Sequence, residues 1–447
     1  MSRNKPNPEE SVYQLRRTKI IRQIRGEIAL IASAPETTRS RDQSYPYQQN
    51  SDFYYLTGLS EPESALVLIG SSRGPRSVLF LRDRDPVDEA WHGERLGIKR
   101  AKRRFQVDEV RDIRQLAVSL NEFMLNARAF HYSPGTNPKL DAMVQERFAS
   151  QTGPRLQYPN TLKDVRLLTS EMRFVKDRTE SHCLRHASDI TARAMVQFLP
   201  QLKHVVSERH GAAVLESYFY KLGAHGLAFP TIMASGKNAT TLHHTPQAQP
   251  LWKRELVLID AGASFRGYSG DITRTVPASG KFTPAQAEVY DVVLSALEAG
   301  TAKARPDCTL DDIHEATVKQ LTRGLIDIGV LRGNVADRVQ DASYRKFYMH
   351  RTSHWLGLDT HDISPVTYTG SSGTALTVPA SMRPLVPGNA LTVEPGLYFG
   401  AQDSTVPEKY RGIGIRIEDD VLITPGGCEV MSGTVPTARD EIEALLG

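Results

Sequence analysis

The sequence is short of cysteine and of net charge. Its three cysteines, Cys183, Cys308 and Cys428, are widely spaced in 447 residues and form no Cys-x-x-Cys pair, which excludes a disulfide framework and leaves reduced structural thiols. The 55 Lys and Arg nearly cancel the 51 Asp and Glu, so a formal charge of +4 gives no global pull towards nucleic acid or a membrane surface. No run reaches the roughly 18 apolar residues that a spanning helix needs. The first thirty residues contain no apolar core of about seven residues before a small-residue cleavage site, and Glu9 and Glu10 argue against an organellar presequence, so a cytoplasmic location is expected. With 40% hydrophobic and 24% charged residues the chain is neither collagen-like nor disordered, and its length predicts two or three domains.

One local excess of charge stands out. IKRAKRRF, residues 98–105, places five basic side chains in eight positions. It has no interleaved aromatics on which bases could stack and it lies beside the acidic run DEVRD, so it reads as a solvated helix face.

What is present is organised in two parts. Around residues 47–84 the apolar runs SALVLIG and SVLFL alternate with turn clusters, and QLAVSLNEFMLNARAFHYSPG reads as a helix entering a strand, so residues 1–165 form a mixed α/β N-terminal domain. Residues 166–447 form a second unit. Helices are predicted from Asp177, from Ser207 to a stop at Gly223, from Thr283 with Pro284 and Gln286 in its first turn, and from Thr309 towards Gly329. Strand-like segments (ELVLIDAG, GDITRTV, NALTVEPGLYF and GIGIRIEDDVLIT) alternate with them in two similar batches.

The chemistry concentrates in those strands. In ELVLIDAGASFRGYSGDITRTV, a hairpin closed by a four-residue loop between residues 263 and 268 would set Asp260 directly opposite Asp271, with β-carbons roughly 4.5–5.5 Å apart. Two carboxylates so close must share a proton or bind cations. A proton-sharing dyad would suit an aspartic protease, but the other clusters favour metal: His350, His354 and His361 in MHRTSHWLGLDTHD, Glu394 in LTVEPG, and Glu418 in GIRIEDD. Ile413, Ile415 and Ile417 alternate with Gly414, Arg416 and Glu418, so one strand face is apolar and the other presents Arg416 and Glu418 together. Four carboxylates and one imidazole in a shared cavity would hold two divalent ions roughly 3.5–4 Å apart. Oxygen-dominated ligation favours Mn²⁺, with Zn²⁺, Co²⁺ or Fe²⁺ as alternatives.

The ordered set Asp260, Asp271, His354, Glu394 and Glu418, in the contexts LIDAG, GDITRT, SHWLGLDTHD, TVEPG and GIRIEDD, resembles the aminopeptidase P and prolidase family of dinuclear metallopeptidases (family M24B). The similarity extends to YQQNSDFYYLTGLSEPESALVL and AWHGERLG, which look like the N-terminal domain of aminopeptidase P, and covers about residues 10–445. The resemblance implies an α/β (α+β) protein whose C-terminal catalytic domain has the pita-bread fold, two related αβ halves around a metal cleft. It implies that Asp260 chelates one metal, that Asp271 and Glu418 bridge both, and that His354 and Glu394 complete the other. Glu394 would also move the proton as a bridging hydroxide attacks the Xaa-Pro bond. His243 and His361 match substrate-contacting histidines, His350 and Arg416 fit positions that orient ligands or substrate, and Trp91 and Arg166 match substrate-end or neighbouring-subunit contacts. His244 reads as a structural histidine.

The implied substrates are peptides with proline at the second position, and the implied assembly is a homodimer or homotetramer. A dipeptidase restricted to Xaa-Pro, a non-hydrolytic pita-bread binding protein and a metal-free creatinase-like hydrolase are the alternatives. The chain departs from the family at Arg351, where glycine is usual, at His92 and Glu94, and in a long connection over residues 363–389. Arginine at 351 is expected to bear a conformational cost and to reshape the cleft; the long connection is expected to cap it.

Overall fold

Apolar runs bounded by turns set the first unit. The computed structural model describes residues 8–71, 74–149, 158–251, 254–364, 367–369, 375–377 and 379–447, and its contacts divide the chain into Met1–Met172 and Arg173–Gly447. In the first unit, helix α1 (Pro8–Gln23) precedes a six-stranded sheet: β1 (Ile28–Ala32), β2 (Ala65–Ile69), β3 (Arg76–Leu81), β4 (Glu109–Asp112), β5 (Phe130–His131) and β6 (Leu162–Lys163). Their spatial order is β4-β3-β2-β1-β5-β6. The central pairs β1–β2 and β2–β3 are antiparallel and the outer ones parallel. Every residue of β1 and β2 is buried, the signature of strands covered on both faces. The basic run 98–105 falls largely on helix Gly97–Arg104, where its cations are solvent-exposed and Arg100 pairs with Glu94 at 2.8 Å.

The long helices of the second unit are well capped. Helix α2 (Arg178–Phe198) starts at the Asp177 capping box, α3 (Glu208–Lys221) at Ser207, α4 (Pro284–Thr301) at the Thr283–Gln286 box and α5 (Leu310–Asp327) at Thr309. Each such cap supplies about 1 kcal/mol by satisfying amides that the first turn leaves unpaired. Strands β7 (Ile232–Ser235), β8 (Leu256–Ala261) and β11 (Ile272–Pro277) form one sheet with β8 central; β9 (Ala263–Phe265) and β10 (Tyr268–Ser269) continue the hairpin. The second batch supplies β12 (Ala390–Val393), β13 (Gly396–Tyr398), β14 (Gly414–Arg416), β15 (Asp419–Thr424) and β16 (Gly427–Val430), with β15 between β12 and β16. A bridge between Thr273 and Glu418 ties the two batches, and one continuous apolar core contains residues from both pairs of helices and both sheets.

The hairpin register differs from the expected one. The loop closes at Arg266-Gly267, both in the left-handed region at φ 50° and 80°, a two-residue turn whose twist matches that of the strands. Phe265 pairs with Tyr268, and Asp260 lies opposite Thr273 rather than Asp271. The shift is two residues, so the period of two keeps both aspartates on one face. Between them the strands cross too closely for side chains: a β-carbon at Gly262 would lie 1.9 Å from the Gly270 carbonyl oxygen. The 363–389 connection contains a short antiparallel pair, Thr367–Thr369 with Ala375–Thr377; the Ser- and Gly-rich tip between them, on which the capping expectation rests, lies outside the described residues.

Candidate metal centre

Asp260 near the end of β8, Asp271 just before β11, and Glu418 between β14 and β15 are buried, and His354 and Glu394 face them from the 352–362 loop and the end of β12. Ligand atoms of Asp271, His354 and Glu418 all lie within 4.8 Å of one another. His354 Nε2 stands 3.4 Å from an Asp271 oxygen and 3.8 Å from a Glu394 oxygen. The tautomer that presents Nε2 as an acceptor has Nδ1–H donating to the Trp355 carbonyl, 3.0 Å away. The backbone holds both ligand-bearing segments together: Thr392 N–H donates to the His354 carbonyl and Glu394 N–H to the Thr352 carbonyl.

Asp260 is tied to Arg416 instead. Arg416 is buried, donates from Nη2 to Asp260 at 2.5 Å and from Nη1 to the Tyr398 hydroxyl at 3.0 Å, and Thr273 donates its hydroxyl to Glu418 at 2.6 Å. The other Asp260 oxygen is buried without a hydrogen-bond partner among the described residues. Burial, then repulsion from Asp260, Asp420 and Glu394, raises the Asp271 carboxyl well above its ordinary value; burial and Asp271 do the same to Glu418. Burial pushes Glu394 up to about 7, with Asp260 adding repulsion and His354 and Arg416 opposing. One arginine is too little countercharge for this set. A partnerless buried oxygen and mutually repelling carboxylates around an imidazole are what a cation site requires, so the residues fit divalent metal.

Histidines form one wall. The His354 and His361 rings are 4.3 Å apart at their centroids, and His243 is close enough to act electrostatically on both His350 and His361. Burial foremost, then Arg416, His314 and His243, lowers His350 to about 4. His350 Nδ1 meets the Arg351 carbonyl and its Nε2 meets the Tyr398 hydroxyl at 2.9 Å, which places a neutral imidazole at the end of the Arg416–Tyr398 chain.

Comparison with known proteins decides the family. A family model described as metallopeptidase family M24 matches residues 182–425, and one described as the aminopeptidase P N-terminal domain matches residues 13–131. Xaa-Pro aminopeptidase of Escherichia coli (strain K12) is 40% identical over 97% of each chain, and that of Haemophilus influenzae 35% identical over 98% of this chain and 97% of the relative. The chain belongs to metallopeptidase family M24. Within it, the chain falls in the Xaa-Pro aminopeptidase group and shares its fold. The structure of E. coli aminopeptidase P in complex with substrate superposes with a TM-score of 0.91 at 38% identity over 98% of both chains. Proline aminopeptidase P II from Yersinia pestis gives 0.91 at 39%, over 98% of this chain and 99% of that one. A zinc-substituted form of the E. coli enzyme has been solved in complex with product.

Several residues of this M24 site carried no signal in the sequence. Tyr398 in PGLYF and Thr273 in GDITRT join Arg416, Asp260 and Glu418 through hydrogen bonds that only the fold assembles. Asp420 was legible in principle, since the alternation that brings Glu418 inward does the same two residues on. Its carboxylate accepts from the Asp271 N–H at 3.0 Å, while Asp419 points the other way to Arg274. His244 is structural as expected: it is buried against Glu208, 2.8 Å away. Arg351 does not bear the expected cost, because its backbone is not left-handed; its side chain is drawn to Asp311 at the start of α5. Trp91 is 82% exposed on helix Pro86–His92, and Arg166 pairs with Asp164 at 2.5 Å within the first unit.

The loop that carries His354 and His361 is anchored by a buried ionic cluster. Asp362 accepts from Lys176 Nζ at 2.7 Å and from Arg173, all three being buried. Its N–H donates to the Trp355 carbonyl. Removing the carboxylate takes a countercharge from two buried cations, although Arg173 keeps its ion pair with the more exposed Asp359 at 2.7 Å, so Asp362→Ala is expected to cost about 3–5 kcal/mol in urea unfolding, and a loss below about 1 kcal/mol would contradict this account. Burial alone would raise the Asp362 carboxyl, but Lys176 and Arg173 outweigh it and hold it below the usual range. Its contribution is therefore complete above the unfolded carboxylate value of about 3.9 and is lost as pH falls through the lower folded one. Asp362→Asn is expected to flatten that acid limb of the stability curve.

Proposed function

We propose that the chain is a dinuclear metallo-aminopeptidase that releases the first residue from peptides with proline at position two. Residues 166–447 carry catalysis and residues 1–165 serve recognition and assembly. Asp260, Asp271, His354, Glu394 and Glu418 would hold two divalent ions, with Mn²⁺ favoured by the oxygen-rich donor set. When bound, such ions polarise a carbonyl and make water acidic enough to supply hydroxide near neutral pH. The observation that carries the reading is the convergence of Asp271, His354 and Glu418 beside a buried Asp260 oxygen that has no partner among the described residues.

The protein's own groups do the rest. Glu394 takes the proton of the attacking water and delivers it to the prolyl nitrogen as the bond breaks. His243 and His361 flank the developing oxyanion and donate hydrogen bonds to it. Arg416, held by Tyr398 and Thr273, keeps Asp260 in place, and His350 fixes Tyr398 from the other side. An Xaa-Pro bond offers no N–H and has its φ locked by the ring, so recognition of this bond must come from the metals, the histidines and a pocket for the pyrrolidine. In this reading Trp91 and Arg166 would serve the substrate end or a subunit contact of a homodimer or homotetramer in the cytoplasm. Among the described residues no helix is long and apolar enough to cross a membrane.

The deciding assay offers the Mn²⁺-loaded protein an Xaa-Pro dipeptide and an Xaa-Pro-Xaa tripeptide. Release of the first residue from the tripeptide is expected; cleavage of the dipeptide alone would make the chain an Xaa-Pro dipeptidase, and cleavage of neither with no bound metal would make it a binding protein.

A further inference from the structure

The N-terminal unit contains a cavity of about 820 Å³, and none of its lining residues belongs to the metal centre. It lies between the C-terminal half of α1 and the strand ends around Gly26, Gly70 and Ser77, and every described residue lining it belongs to the first unit. Its volume is that of a small-molecule site. Its charge is one-sided: among the described residues Arg17, Arg22, Arg25 and Arg128 line it, against the one carboxylate of Asp108. That carboxylate is already engaged, accepting from the Ser77 N–H at 2.7 Å and the Ser77 hydroxyl at 2.9 Å.

The arginines, by contrast, have no comparable countercharge. Arg17 is 2% exposed, and its terminal nitrogens donate to two neutral carbonyls, Leu56 at 2.8 Å and Gln106 at 2.7 Å. Its Nε is buried with no hydrogen-bond partner among the described residues. Arg128 donates to the Arg25 carbonyl. Arg22 and Arg25 are exposed and pair with no acid among the described residues. The negative end of α1 offsets only about half a charge of the excess. Keeping a guanidinium buried without an anion is unfavourable, and burial accordingly lowers Arg17 to about 10, with Asp108 opposing.

We propose that this cavity binds a small, multiply charged phosphate-bearing anion, its phosphoryl oxygens held by Arg22, Arg25 and Arg128 over the buried charge of Arg17. Guanidinium forks match phosphoryl oxygens two at a time, which suits several arginines around one cavity. Among the described residues no aromatic side chain lines it, so recognition is by charge and not by stacking on a base. A free polyphosphate and the phosphate chain of a nucleotide share this chemistry.

Isothermal titration of the full chain with inorganic tripolyphosphate, ATP and adenosine separates these sources and tests the site. Tripolyphosphate and ATP are expected to bind and adenosine to give no heat. The charge-reversed variant carrying Arg22→Glu and Arg25→Glu, both at exposed positions, is expected to bind tripolyphosphate at least about tenfold more weakly while retaining its circular dichroism spectrum and tripeptide cleavage. Asp108→Asn, which keeps an acceptor for Ser77, is expected to bind it more tightly. Metal withdrawal by polyphosphate would act equally on all three proteins and cannot produce the difference between them. The proposal is overturned if tripolyphosphate gives no heat at millimolar concentration, if the variants bind as the parent does, if adenosine binds as well as ATP, or if only a single-stranded oligonucleotide binds. None of these outcomes depends on peptidase activity.

Discussion

Glu418→Gln is expected to lower kcat/KM for an Xaa-Pro-Xaa tripeptide roughly a thousandfold or more, the loss of about 4 kcal/mol of transition-state stabilisation. Glutamine keeps the shape of the side chain and an oxygen that can still accept from the Thr273 hydroxyl, which contacts Glu418 at 2.6 Å. The backbone bridge between Thr273 and Glu418 is likewise unaffected by the substitution. What it loses is one negative charge in a buried set that includes Asp260, Asp271 and Glu394. Bound metal should therefore fall while the circular dichroism spectrum stays that of the parent. Metal analysis after Mn²⁺ loading, run beside the kinetics, checks both halves. A variant within about tenfold of the parent in kcat/KM, with undiminished metal content, would remove Glu418 from the ligand set.

Arg416→Leu is expected to act on stability, and to do so differently with and without metal. Arg416 is the buried cation that faces Asp260, and it also anchors Tyr398. With chelator present, its removal leaves Asp260 buried without a countercharge, a loss of about 3–5 kcal/mol. Divalent ions would restore positive charge to the same carboxylates, so the loss should shrink when unfolding is measured in Mn²⁺. Urea titrations under the two conditions give the comparison directly. Equal losses in both would mean that Arg416 stabilises the fold through packing and hydrogen bonds alone.

Much of this centre is legible in the chain because the information is local. The period of two in GIGIRIEDD assigns Arg416 and Glu418 to one face, and these side chains do meet Asp260 and Thr273 on the same side. The capping-box pattern at Thr283 and the helix start at Thr309 locate the helices that pack beside the second batch of strands. The hairpin register is not legible in this way, since it depends on a turn in which Arg266 takes a left-handed conformation that its residue type disfavours. A slip of two residues leaves the face unchanged, so Asp260 lies on the expected side of the sheet but opposite Thr273.

By itself, then, the sequence determined the alternation of helices and strands, the acidic and histidine motifs and the inward face of each strand, all of which follow from periodicities within a few residues. The tertiary structure alone decided which of those groups meet. Tyr398 and Arg416 lie 18 residues apart, Thr273 and Glu418 lie 145 apart, and Lys176 and Asp362 lie 186 apart, and each pair is joined by hydrogen bonds in the fold. The arginine cavity is another such product: Arg17 on α1 and Arg128 before β5 have no local pattern linking them. Contacts of this kind depend on how separately formed elements pack, and a short-range pattern carries no record of that packing.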